Sequence, residues 1–106
     1  VTGVTVCRKD VLEDQADAVD TFLKEHEASA AFANANVEET AQLVADAGII
    51  EKAPIAAKAI PYCSITYIDG TDMQTKVSGY LSVLFDQDPS SIGGQLPDEG
   101  FYYIHE

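Results

Sequence analysis

The chain's 106 residues suit one small domain with a modest core, and 46% hydrophobic against 23% charged residues exclude a disordered tract, which would be poorer in apolar side chains. Eighteen acidic residues stand against six basic ones, a formal net charge of -12 that excludes nucleic acid and anionic lipid as partners drawn by long-range attraction. No Asp/Asn loop of the calcium-binding kind collects the acid, so it reads as a solvated surface and no metal is expected.

Val4 to Arg8 has the β-branched content and shortness of a strand, with Gly3 before it as a turn or hinge, so a strand is predicted over 4–8. Asp10 and Glu13 then open a helix predicted over about 10–34, in which the step from Asp14 through Gln15 to Ala16 marks an interruption. Within it Val19, Phe22, Leu23, Ala30 and Phe32 recur at helical spacing, while Asp17, Asp20, Lys24, Glu25 and Glu27 fall largely elsewhere. Asn34 and Asn36 punctuate the pattern. Asn36 with Glu39 restarts a helix over 37–47, which Gly48 closes in a left-handed conformation.

Pro54 sits where a first-turn proline is tolerated and Pro61 cannot continue a helix, which bounds a short one over 54–60. Cys63 to Ile68 is rich in β-formers, giving a second predicted strand over 63–68 that ends in the turn Asp69-Gly70. Thr71 with Gln74 resembles a capping box, followed by a helix over 72–86 with Met73, Val77, Tyr80, Leu81 and Leu84 on one face. Pro89, Gly93, Gly94, Pro97 and Gly100 leave 87–106 irregular, its aromatic cluster Phe101, Tyr102, Tyr103 pinning it to the surface. The expected fold class is α/β and helix-rich, one domain over 1–106 with about five helices and two short strands. Two strands make a poor sheet, so the remainder of a longer protein, or a second copy, is expected to supply neighbours.

Residues able to carry covalent chemistry are sparse. A serine or cysteine nucleophile needs a base, and only His26, between Glu25 and Glu27 on a helix, and the penultimate His105 are available. His26 reads as a solvated surface residue. The carboxylate pairs Glu38/Glu39 and Asp98/Glu99 are what so acidic a chain holds anyway, and Gly93-Gly94 reads as a turn because no helix start follows it. Cys7 and Cys63 lack zinc spacing; among apolar and β-branched neighbours each reads as a buried small hydrophobe, with a mutual disulfide the alternative. No catalytic residue and no cofactor are assigned. Thr2 and Gly3, small residues at the entry to the first strand, are the candidate ligand contacts, through a hydroxyl and backbone N–H groups, with a plain turn as the other reading.

The runs GVTVCRKDVLE, AVDTFLKEHEASAAFANANVEE and AIPYCSITYIDGTDMQTKVSGYLSVLFDQDPSSIGGQLPDEGFYY together resemble the carboxy-terminal region of ABC-transporter solute-binding proteins of the nitrate, sulfonate, taurine and thiamine-precursor group. AIPYCSITYIDG and DPSSIGGQLPDEGFYY are its most specific parts; the Asn-Pro pair that often opens one helix in that family reads Asp14-Gln15 here. The resemblance implies the carboxy-terminal part of a two-lobed periplasmic-binding-protein-like fold and noncovalent capture of an anionic or heteroaromatic solute by hinge closure. It also implies an ABC permease as partner, an extracellular or periplasmic location and a lipid anchor on the full-length protein. The strand-like opening VTGVTVCRKD, with no initiator methionine or signal peptide, reads as internal to that longer chain. On this reading the chain alone binds solute weakly or not at all and self-associates through exposed strand edges or apolar faces. Rival readings are a stand-alone helical protein-interaction module, marked by an exposed stripe on the Met73–Leu84 helix, and a small enzyme using Cys7 or Cys63.

Overall fold

A computed structural model describes residues 1–104; His105, weighed above as a base, lies outside the described residues. Five α-helices follow in chain order: α1 (Lys9–Asp14), α2 (Ala16–Ala35), α3 (Val37–Asp46), α4 (Ala53–Ala59) and α5 (Gly70–Gln87). Short 3-10 turns occupy Ile60–Tyr62, Pro89–Ile92 and Glu99–Phe101. The chain divides into two compact units, one being Lys9–Tyr67, the other joining Val1–Arg8 to the chain from Ile68 onward.

The helical part follows the periodicities closely. Gln15 separates α1 from α2 at the step the sequence marked, and Asn36 alone separates α2 from α3, its Nδ2 donating back to the carbonyl of Phe32 instead of capping the new helix. The end of α3 is a Schellman turn: Ile49 N–H donates to the Val44 carbonyl at 3.1 Å and Gly48 N–H to that of Ala45 at 3.0 Å, with Gly48 at φ 77. That turn carries Ile49 back beside Val44, where both line one groove. An alanine at 48 would carry a Cβ into the left-handed region, so Gly48→Ala is expected to cost about 1–2 kcal/mol in chemical denaturation. An unchanged midpoint would show that the turn does not hold in solution.

Both predicted strands, 4–8 and 63–68, are absent: no strand occurs among the described residues, and the α/β expectation is corrected to an all-helical one. The reason is physical. β-formers favour a pleated, half-buried surface, and without a neighbouring strand their N–H and C=O groups bond water instead of a ladder. In the second segment Cys63 instead closes the 3-10 turn by donating its N–H to Ile60, and Ser64 adopts φ 53, a left-handed conformation that no strand contains. The capping box at Thr71 is also corrected. Helix α5 begins two residues earlier, at Gly70, so Asp69 takes the N-cap place and Thr71 lies inside the first turn.

In the unit Lys9–Tyr67, α3 packs on α4, and Ala41 (1% exposed), Ala56 and Ile60 form the core, flanked by Val37, Val44, Ala57 and Ile65. Small side chains on the facing surfaces of α3 and α4 allow close approach. Among the described residues Ala33 of α2 is the other buried one, and no large side chain is fully buried. In the other unit Asp88 caps the turn Pro89–Ile92, its Oδ1 accepting from Ser90 N–H at 3.1 Å and Ser90 Oγ at 2.7 Å. Gly93 and Gly94, read as a turn in the sequence, take φ 88 and 93 there. On α5 the Lys76 ammonium pairs with Asp72 at 2.6 Å on the helix surface. An exposed i,i+4 pair contributes little, so Lys76→Ala is expected to change stability by under about 0.5 kcal/mol; a loss above about 1 kcal/mol would mean that the lysine stem packs.

Candidate functional site

Helix α2 positions the most organised cluster of side chains in the unit Lys9–Tyr67. Phe22 and His26 lie one helical turn apart and stack with ring centroids 5.4 Å apart and planes 14° from parallel. Tyr67 meets the imidazole edge-on at 5.7 Å. Two turns further along, Asn34 Nδ2 donates to the Ile65 carbonyl at 2.9 Å and to the Ala30 carbonyl at 3.1 Å. Stack and amide together hold the non-helical segment 64–67 along α2. His26 is exposed, as the sequence implied, yet it is a packing group between two rings and not simply solvated. Its i,i+4 spacing to Phe22 was a signal in the sequence; its meeting with Tyr67 was not.

The Asn34 bond bridges 31 residues, and its loss leaves the Ile65 carbonyl to water. Asn34→Ala is therefore expected to lower stability by about 1 kcal/mol and to speed amide exchange around Tyr67. Exchange unchanged there would remove the amide from the account.

Two shallow grooves flank α2. The first, about 240 Å³, is lined by Ser29, Phe32, Ala33, Thr40, Leu43, Val44 and Ile49. It is open and largely apolar, but it contains one orphan: Thr40 Oγ1 is buried without a hydrogen-bond partner. The second, about 220 Å³, lies beside the cluster just described, between Glu27, Ala30, Ala31, Asn34, Thr66 and Tyr67. Neither reaches the roughly 300–1,000 Å³ of small-molecule sites, and neither encloses its contents.

Thr2 and Gly3 lie in the exposed, non-helical segment 1–8, and an added Cβ at Gly3 would meet nothing within 4 Å. Cys7 and Cys63 are both free and both exposed, which overturns the burial expected of them. Their apolar neighbours suggested strands packed on a core, and without a sheet that burial does not arise. Each thiol makes a local bond, Cys7 Sγ to the Arg8 carbonyl at 3.4 Å and Cys63 Sγ to the Ala59 carbonyl at 3.3 Å.

Among the described residues no group of three or more His, Cys, Asp or Glu side chains could hold a metal ion, and no helix is long and apolar enough to cross a membrane. Phe101 and Tyr102 pair edge-to-face at 5.2 Å in the tail, a local ring contact. Compared with protein families, characterised proteins and solved structures, the chain matches none.

Proposed function

We propose that these residues are the carboxy-terminal part of the solute-binding component of an ABC importer. In this reading the complete protein captures a small anionic or heteroaromatic solute noncovalently by hinge closure and presents it to a permease from an extracellular or periplasmic, membrane-anchored position. The observation that carries the reading is the amount of apolar surface left uncovered. Val4, Val6, Phe22, Leu43, Ile49, Ile55, Tyr80, Val83 and Phe101 are all exposed, while the buried set among the described residues is three alanines and one isoleucine. Isolated exposed apolar residues are ordinary on a folded domain; so many beside so small a core describe a surface that further protein covers. Quoted stretches of the sequence supply the family.

Capture, in this account, belongs to the assembled protein. A ligand-induced closure needs two bodies whose closed arrangement the solute prefers, and the grooves along α2 are too small and open to do this. Thr2 and Gly3 contribute to a solute site only once other residues surround them.

Melting this chain with and without nitrate, alkyl sulfonates and pyrimidines, alongside its mass in solution by light scattering, tests the proposal. The expected result is no shift with any solute and association that grows with salt as the charge of -12 is screened. A monomer whose midpoint rises with one of these solutes would show a complete site within 106 residues and contradict the proposal.

A second reading, a stand-alone helical interaction module, is favoured by one observation. Tyr80 and Val83 stay exposed on α5 while Met73, Val77, Leu81 and Leu84 are half-buried, leaving an apolar strip on a helix. A monomer at high concentration that melts cooperatively, with no solute response, would favour it.

A further inference from the structure

The groove between α2 and α3 combines three properties that together specify its occupant. It is uncovered, with Leu43 59% and Ile49 71% exposed, and its volume of about 240 Å³ suits a few aliphatic side chains better than a solute. Its exposed wall is largely apolar: the Thr40 hydroxyl beside it is itself buried and presents no polar surface to the groove. Its surroundings are acidic: between Ala16 and Asp46 seven carboxylates face a single cation, Lys24. Helical spacing places Glu25 one turn before Ser29, Glu39 one turn before Leu43, and Asp46 three residues after it.

We propose that this groove is the docking site for an amphipathic helix of a partner protein, with aliphatic anchors on one face and lysine or arginine flanking them. The furrow runs between two packed helices, the surface into which a third helix seats its ridges, and no strand edge is available there to recruit an extended peptide. The acid rim selects the flanking charges and steers the encounter. A second copy of this chain is a poor occupant because it brings a net charge of -12 to an already negative rim. The inference stands on the groove; under the solute-binding reading, Leu43 and Ile49 are covered by this partner helix and not by the rest of the longer protein.

The probe is a fluorescent synthetic peptide with leucines at i, i+3, i+4 and i+7 and lysines flanking them, titrated with the whole chain at low and high salt. The expected result is saturable binding, weakened at least about tenfold by Leu43→Lys, weakened again by salt, and lost when the peptide's lysines are replaced by glutamates. Amide NMR should place the largest shifts at Ser29, Thr40, Leu43 and Ile49. Leu43 is exposed, so the substitution should leave the helical circular dichroism unchanged; if it does not, Ile49→Lys serves the same purpose. No binding, equal binding by Leu43→Lys, or equal binding of the lysine and glutamate peptides would each overturn the proposal. So would Leu43→Lys converting a self-associating protein into a monomer, since a second copy would then be the occupant.

Discussion

Ile60→Ala is expected to lower the stability of the unit Lys9–Tyr67 by about 2–3 kcal/mol, the largest effect of any single truncation in the chain. Ile60 is 7% exposed and shares its core only with Ala41 and Ala56, which have no larger side chains to close a gap. Removing three carbons forfeits their transfer energy and leaves a cavity; isoleucine-to-alanine changes in cores cost about 2–5 kcal/mol. The lower end applies because half-buried Val44 and Ile65 can settle inward. A small domain with about 5 kcal/mol in hand would lose roughly half of it, and its melting midpoint would fall by about 10 °C or more. Urea titration of both proteins reads the change. A loss below about 1 kcal/mol would mean that Ile60 is not the centre of this core.

Thr40→Val has the opposite sign. The two side chains have nearly the same shape, so the substitution keeps the packing and removes only the hydroxyl, which is buried with no partner in the structure. An unsatisfied buried polar group costs about 1–3 kcal/mol, and its removal is expected to raise stability by about 1 kcal/mol. Few substitutions on a helix surface stabilise, so the sign is itself diagnostic. A destabilised variant would show that Thr40 Oγ1 finds a donor or acceptor in solution.

The contrast between what the residues announced and what they did not has one physical origin. Helices satisfy their hydrogen bonds within a segment, so spacing, asparagine breaks, Gly48 and Pro54 sufficed to place α2, α3 and α4. Strands satisfy theirs with a partner. The β-formers of 4–8 and 63–68 therefore stated a preference that residues 1–104 alone cannot realise, and the burial expected of Cys7 and Cys63 failed with it. Thr2 and Gly3 stand out only by their place before the first of these segments, and the structure leaves both exposed. The cluster along α2 was half legible. Phe22 and His26 meet by helical spacing, whereas Tyr67 and the Ile65 carbonyl arrive from more than 30 residues away, as only the tertiary fold dictates. Thr40 was not legible at all, because nothing in a sequence marks a hydroxyl that burial will leave unpaired.

The central claim is that solute capture belongs to a longer protein of which these residues are one part. Its most direct measurement is calorimetric titration of that longer protein, and of residues 1–106 by themselves, with nitrate, alkyl sulfonates and pyrimidines. The account predicts one-site binding of one solute class by the longer protein and no heat of binding from residues 1–106. A longer protein that binds none of them, or a 106-residue chain that binds one equally well, would contradict it.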